Sequence, residues 1–320
     1  MTGAEFQLVV ARAALAPSVH NTQPARWCQV PGGIEVLCDG DVRLRVGDPE
    51  GRDAALSCGA AVEATVIALS ALGHDAVVTE LWDGPGPGLQ PVARIAVSGE
   101  ANADVMADQL ERRFTWRGMF DPAPAPLFGW DRSDTVTVTD PARKAWIAGL
   151  NDEVSLRILR DGAFRAELLD WMRLLPWHRR YRLDGLNREA LQMSPALALG
   201  ARLVLGPLWG LCDALGLTRA VTAEAEATRA AQVIACFHRP AGESPVASGR
   251  AYLRMCLEAA HLGMAGWPMA ALADNPETRA EMAQKLGIGP ERRLIQVIRF
   301  GVPVGAAPPR VRLPVAQLIV

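Results

Sequence analysis

The chain of 320 residues carries 33 Lys+Arg against 35 Asp+Glu, half of it is apolar, and 29 glycines and 23 prolines punctuate it. That length can bury a large core, as one big domain or as two ordinary ones. A formal charge of −2 with no basic block removes the electrostatic footprint of a nucleic-acid binder.

The opening Met-Thr-Gly-Ala-Glu-Phe-Gln lacks the positive region, apolar run and cleavage site of a secretory signal, so a cytoplasmic location is expected. Ala16-Pro-Ser-Val-His-Asn-Thr-Gln-Pro24 then packs short polar side chains between prolines. Such a segment can address a planar heterocycle from one side, or it can be a Pro/Asn turn that satisfies only its own backbone. Asp53 to Leu72 is apolar around nearly its whole circumference and ends at Gly73, which predicts a core helix closed by a glycine C-cap. The turn-rich Asp83–Gly88 follows, and Pro91–Ser98 reads as a strand.

In Glu111-Arg-Arg-Phe-Thr-Trp-Arg117, residues Arg113, Thr115 and Arg117 stand at i, i+2 and i+4. On an extended backbone they share one face, where two guanidinium forks and a hydroxyl suit a phosphate monoester; a solvated basic surface is the alternative. From Asp140 to Arg239 the pattern is mostly helical, with Trp171, Trp177, Trp209 and a cluster of Arg173, Arg179, Arg180 and Arg182. This is either an amphipathic helical pair or a lid over a ligand. Within it, Ala196 to Leu217 is the most apolar stretch, and Arg202, Pro207 and Asp213 make it a buried hairpin rather than a membrane span.

Ser248 to Leu262 repeats the pattern of an apolar helix closed by glycine, here Gly263, and Arg293–Phe300 reads as a strand. An offset of 190 pairs Gly59 with Gly249, Ala61 with Ala251, Leu72 with Leu262 and Gly73 with Gly263, read as an internal duplication at a level alanine-rich helices also reach by chance. Between helix and strand, Gly263-Met-Ala-Gly-Trp-Pro-Met269 offers close backbone approach at Gly266 and a flat surface at Trp267, or is an ordinary loop. Arg310 and Arg312 on the proline-stiffened arm Pro308-Pro-Arg-Val-Arg312 complete an anion site or decorate a tail. The six cysteines and five histidines show neither Cys-x-x-Cys nor His-x-x-x-His spacing, so no metal site is expected, and no nucleophile elbow, P-loop or Gly-x-Gly-x-x-Gly occurs.

Taken together, four of these segments resemble the nitroreductase superfamily of FMN-dependent oxidoreductases. Pro17-Ser18-Val19-His-Asn21-Thr-Gln23-Pro looks like that family's Pro-Ser-Ser-x-Asn-x-Gln-Pro stretch along the flavin. Arg113-Phe-Thr115-Trp-Arg117 looks like its phosphate segment, Gly301-Val-Pro303 with Arg310 and Arg312 like its ending, and Gly266-Trp267 falls where backbone amides approach flavin N5. The asparagine stretch precedes the arginine stretch, which is similar to the Acg-type branch, where two halves are fused and one chain mimics a dimer. Gln-Pro-Ala25 departs from the family's Gln-Pro-Trp, with Trp27 displaced by two.

The resemblance implies an α+β fold, with a first half at 1–110 and a second at 111–320 that carries a helical insertion or lid at about 140–239. Each half is expected to be a mainly antiparallel sheet flanked by helices. It implies one FMN per chain, and the cofactor-binding set Pro17, Ser18, Val19, Asn21, Gln23, Arg113, Thr115, Arg117, Gly266, Trp267, Arg310 and Arg312. No catalytic side chain is expected, because flavin N5 accepts the hydride. The activity implied is ping-pong transfer from NAD(P)H through FMN to a nitroaromatic, quinone or enone. Two other readings stay open: a protein that stores or sequesters FMN under a closed lid, and a specialised biosynthetic flavin-dependent dehydrogenase or oxidase. The expected partners are small molecules, with no nucleic acid and no membrane, in a pseudo-dimeric monomer able to pair further.

Overall fold

The computed structural model describes residues 1–127, 130 and 132–320. Thr2 opens the first helix, α1 (Gly3–Ala13), with a capping box: its hydroxyl accepts from Glu5 N while the Glu5 carboxylate accepts from Thr2 N. The strands β1 (Ala25–Val30) and β2 (Gly33–Asp39), the helix α2 (Arg52–Ser70), and the strands β3 (His74–Glu80) and β4 (Leu89–Glu100) follow. They build an antiparallel sheet of order β1-β2-β4-β3.

After the short α3 (Gln109–Arg112) and β5 (Thr135–Val138), a middle segment begins with α4 (Pro141–Leu159) and α5 (Gly162–Trp171). It continues through the two-residue pair β6 (Met172–Arg173) and β7 (Leu186–Asn187) and the helices α6 (Pro195–Leu205), α7 (Trp209–Ala214), α8 (Thr218–Thr222) and α9 (Ala225–Ala230). Then come β8 (Val233–Pro240), α10 (Pro245–His261), β9 (Ala265–Pro268), α11 (Ala271–Asp274), α12 (Pro276–Leu286) and β10 (Arg292–Gly301). The second sheet is antiparallel with order β5-β8-β10-β9. The fold is therefore α+β, and β1, β2, α2, β3 and β4 correspond one for one to β5, β8, α10, β9 and β10.

A helix apolar on all sides has to be covered on all sides. α2 is long and apolar enough to cross a membrane by length and composition, yet 83% of its most apolar window lies inside the protein. It packs against α1, α10 and the first sheet. The contact with α10 is backbone to backbone: a Cβ at Gly59 would lie 2.1 Å from Val246 O, and one at Gly249 would lie 2.1 Å from Leu56 O. The offset that carries Gly59 to Gly249 also carries Leu56 to Val246, so these are the same contact seen from the two sides of a pseudo-two-fold. The internal duplication is thus present in the packing as well as in the order of strands.

The structure corrects two expectations inside 140–239. Val233–Pro240 is strand rather than part of a helical segment, because six consecutive buried residues there fill a central position in the sheet. The 196–217 hairpin is not buried: only Ala198, Ala201, Leu205 and Trp209 reach the core, while Leu197, Leu199, Leu203, Leu208, Leu211, Leu215 and Leu217 are 40–63% exposed. The inner face of α6 rests on α5 and the cluster around Leu174, and its outer face has nothing above it.

Beyond β10 the chain returns to the first half. Trp27 N on the edge strand β1 donates to Leu318 O at 2.9 Å, and Val320 N donates to Trp27 O at 3.0 Å. Trp27 itself is buried, and its Nε1 donates to Thr65 Oγ1 on α2.

Gly59→Ala and Gly249→Ala should each destabilise the chain by about 1–3 kcal/mol, and by similar amounts because the contact is two-fold. Urea midpoints of the two variants check this. At the start of α2, burial and the neighbouring Asp48 push the Asp53 carboxyl up to about 6. A carboxyl raised above its unfolded value takes up a proton on folding, so its contribution to stability grows as pH falls from 7 towards 5. Asp53→Asn should flatten that part of the stability-against-pH curve, as urea denaturation at pH 7, 6 and 5 would record.

Candidate functional site

The segment between α1 and β1 is too short to relax. His20, Asn21 and Gln23 have φ of 43°, 56° and 53°, left-handed values that asparagine tolerates and the other two rarely adopt. Side chains hold the segment in this shape. Ser18 Oγ accepts from Gln23 N at 3.0 Å, and Ser57 Oγ on α2 accepts from Val19 N at 3.0 Å.

Across from it, Arg113 to Arg117 runs extended beside β9: Trp116 N donates to Gly266 O, and Thr115 bridges Gly266. Alternation along that backbone buries Trp116 and turns Arg113, Thr115 and Arg117 to the other face. The arm that follows β10 brings Arg310 and Arg312 to the same place. These segments enclose a cleft of about 110 Å³ lined by Pro17, Ser18, His20, Asn21, Arg113, Thr115, Arg117, Arg310 and Arg312, together with Phe114, Pro308, Pro309 and Val311. From the middle segment, Gly185, Leu186 and Ala190 complete the wall.

The cleft has four arginines and no carboxylate among its lining residues. The guanidinium groups are held by neutral carbonyl oxygens. Arg113 donates to Leu15 O at 2.9 Å, Arg117 to Ala190 O at 3.3 Å and Arg310 to Glu111 O. Arg312 donates to Ala14 O at 2.7 Å, to Leu15 O at 3.2 Å and to Asn21 Oδ1 at 2.9 Å. Burial, with no cancelling charge in the wall, pushes Arg312 down to about 9 and Arg117 down to about 10. Arg113 and Arg310 shift down for the same first reason. Burial, and then Arg117, push His20 down to about 4, so its imidazole is neutral at pH 7.

Of the residues expected from sequence, Val19 and Gln23 support the cleft from behind. Gln23 Nε2 donates to Leu183 O at 2.8 Å, and its Oε1 accepts from Leu313 N at 2.8 Å, tying the middle segment and the arm to the first half. Gly266 lines an adjoining space that shares Arg113, Phe114 and Thr115 with the cleft and also touches Tyr252 and Cys256. Burial raises the Tyr252 hydroxyl and pushes the Cys256 thiol up to about 11, leaving both neutral. Trp267 does not line the cleft: the Arg299 guanidinium stacks 3.6 Å from its ring centroid, and Arg299 is held by Glu224 and Thr228.

Sequence reasoning left out His20, Phe114, Gly185, Leu186 and Ala190. His20 stood in plain view between Val19 and Asn21, but nothing in the sequence marked 185–190 except the Asp184-Gly185 turn, where Gly185 has φ of 70°. Asp184 is gripped by Arg173 and Arg180, which accounts for half of the basic cluster. Trp209 is buried under Arg165, while Trp177 is 79% exposed. The middle segment is latched over the cleft: Asn21 Nδ2 donates to Gly185 O at 3.2 Å, and Gly185 N donates to Asn21 O at 3.2 Å. From α5, Glu167 accepts from the backbone amides of Arg45, Val46 and Gly47, docking the same segment on the first half.

No family model matches the chain. It is 38% identical over 125 residues to the Mycobacterium tuberculosis (strain H37Rv) protein Rv3131, named an NAD(P)H nitroreductase, covering 37% of this chain and 35% of that protein. It is 31% identical over 179 residues to acg of the same strain, also named an NAD(P)H nitroreductase, covering 50% of this chain and 51% of that protein. The chain thus spans about a third to a half of these curated relatives, and over that span the resemblance to the nitroreductase superfamily and its Acg-type branch holds. Among solved structures, the FMN and NADPH-dependent nitroreductase NfnB from Sphigopyxis sp. strain HMH matches with 16% identity and a TM-score of 0.37, over 68% of this chain and 98% of that one. The FMN-dependent nitroreductase NfnB from Mycobacterium smegmatis, in complex with NADPH, matches with 18% identity and a TM-score of 0.33, over 63% and 94%. These scores are too low to bear on fold or function.

Asn21→Ala removes the side-chain half of the latch on Gly185. Amide hydrogen exchange at 183–190 should speed up by about tenfold, the equivalent of one hydrogen bond of about 1 kcal/mol or slightly more, while exchange in α2 stays unchanged.

Proposed function

We propose that the chain is an FMN-dependent oxidoreductase that draws electrons from NAD(P)H and reduces a small electron-poor acceptor of nitroaromatic, quinone or enone type. The observation that carries this reading is the cleft itself: Arg113, which is buried, the half-buried Arg117 and Arg312, the exposed Arg310 and a threonine converge with no carboxylate among the lining residues. A donor set of that kind suits a phosphate dianion, which accepts several charge-assisted bonds at once. Arg113, Arg117, Arg310 and Arg312 would hold the phosphate, with Thr115 adding a neutral donor. Ser18 and Asn21 would address the polar edge of the ribityl chain or ring, and the small Gly266 would leave room beside Thr115. We assign these halves of the site to 1–110 and 111–320, one cofactor per chain.

Bound FMN supplies reversible two-electron chemistry between the nicotinamide and the acceptor. The chain contributes orientation and charge. Guanidinium groups held by neutral carbonyls keep their full positive field for the incoming anion. The neutral His20, Tyr252 and Cys256 add no competing charge. The segment 185–190 controls access, since a cleft of about 110 Å³ is smaller than the roughly 300–1,000 Å³ typical of ligand sites, and a whole mononucleotide requires that segment to move.

A second reading, a protein that sequesters FMN, draws support from the latch on Gly185 and from Gln23 bonded to Leu183 O. Reconstitution with FMN followed by anaerobic addition of NADPH separates the two. Rapid bleaching of the flavin band supports the reductase, and a bound band that persists supports sequestration. Arg113→Ala and Arg117→Ala should each weaken FMN binding about 10- to 100-fold, the equivalent of about 1.5–3 kcal/mol per charge-assisted bond. Unchanged FMN affinity in both variants overturns the assignment of the phosphate site.

A further inference from the structure

The larger internal space is elsewhere. A cavity of about 220 Å³ lies where the two long core helices begin, with Arg52 and Leu56 of α2 on one side and Pro245 and Ser248 of α10 on the other. It shares no lining residue with the arginine cleft. Both halves supply its walls, and the apolar part is made by Trp82, Leu56, Ile295 and two prolines.

The polar groups there are unequally satisfied. Glu243 is engaged by Arg239 at 2.6 Å and by Ser248 at 2.8 Å. Arg52 donates to Asp274 and to Ile295 O. The half-buried side chain of Arg293 lines the cavity with its Nε unpartnered, and Glu50 and Asp274 are the carboxylates that bear on its charge. That Nε is sealed from any water-sized probe, so an acceptor from outside the chain can meet this guanidinium only through its Nη groups. Other buried atoms without partners occur on Arg12, Thr22, His74, Gln109, Trp130 and Arg299, but none of these residues lines either the cleft or this cavity.

We infer that this cavity is a second small-molecule site, and that it takes a flat organic monocarboxylate whose carboxylate pairs with Arg293 and whose apolar body lies against Trp82, Leu56 and Ile295. One free guanidinium matches one planar carboxylate in a two-pronged pair. A phosphate dianion fits less well, because Glu50 and Glu243 also face the space and would repel a second negative charge. Since the walls come from both halves, occupancy bears on how the halves meet and not on the cofactor's phosphate.

Isothermal titration of the full chain with 2-naphthoate, and with the uncharged 2-naphthamide, tests the assignment. The expected result is one saturable site for naphthoate, with naphthamide at least about tenfold weaker. Arg293→Gln should weaken naphthoate by a similar factor, Arg293→Lys should recover part of it, and FMN uptake should stay unchanged in both, which also confirms that they fold. No saturable binding, equal affinity for acid and amide, or indifference to Arg293→Gln overturns the proposal. So does loss of naphthoate binding in Arg113→Ala, which would put the probe in the arginine cleft.

Discussion

Everything in the molecule is arranged around the crossing of two helices whose backbones touch. At Gly59 and Gly249 each helix presses on the carbonyl of the other, at a separation no side chain allows. That closeness fixes where the two sheets lie, and with them the loops on their edges. The loop 17–23 hangs from α1 and is tied to α2 through Ser57, while 113–117 is tied to β9 through Gly266. They face one another because the helices beneath them cross without a gap, so a cleft built from both halves depends on two hydrogen atoms standing in for two methyl groups.

The cleft shows a second constraint, in how its charge is kept. In most of the protein, arginines are matched with carboxylates: Arg250 and Arg254 grip Glu63, Arg239 grips Asp134 and Glu243, and Arg132 grips Asp134 and Glu258. In the cleft the partners are backbone carbonyls just after α1, at Glu111 and at Ala190. A carbonyl fixes the position of a guanidinium without cancelling its charge. Taking Arg312 and Arg117 partly out of water with no carboxylate in the cleft wall is costly, and that burial is what pushes both below the usual guanidinium range. Folding stability is lost there, and a field for an anion is obtained in exchange.

This division explains how much of the molecule could be read in the sequence. The core helices were legible within a few residues, 53–72 against Arg52–Ser70 and 248–262 against Pro245–His261, because an all-apolar run ended by glycine has few alternatives. The arginine segment was legible because alternation along an extended backbone is a local property. The strand at 233–240 was hidden because a short apolar run has no period of its own. The outward leucines of α6 and α7 were hidden because whether a face is covered depends on what lies above it, and no residue in the helix encodes that. That the Trp267 ring does not line the cleft was hidden for a related reason: it is claimed by Arg299 from the neighbouring strand. The wall at 185–190 was invisible because its contribution is backbone carbonyls, which every residue carries.

The return of the chain over β1 has a consequence for the order of events during synthesis. Residues 311–320 pair with Trp27, accept from Asn21 and donate to Gln23, so the loop 17–23 and the edge of the first sheet are closed only once residues 311–320 have been made. Contacts of such long sequence separation form late. A ribosome making this protein carries, until then, a first half whose core can already collapse around α2 but whose edge strand β1 still lacks the partner that residues 318–320 provide.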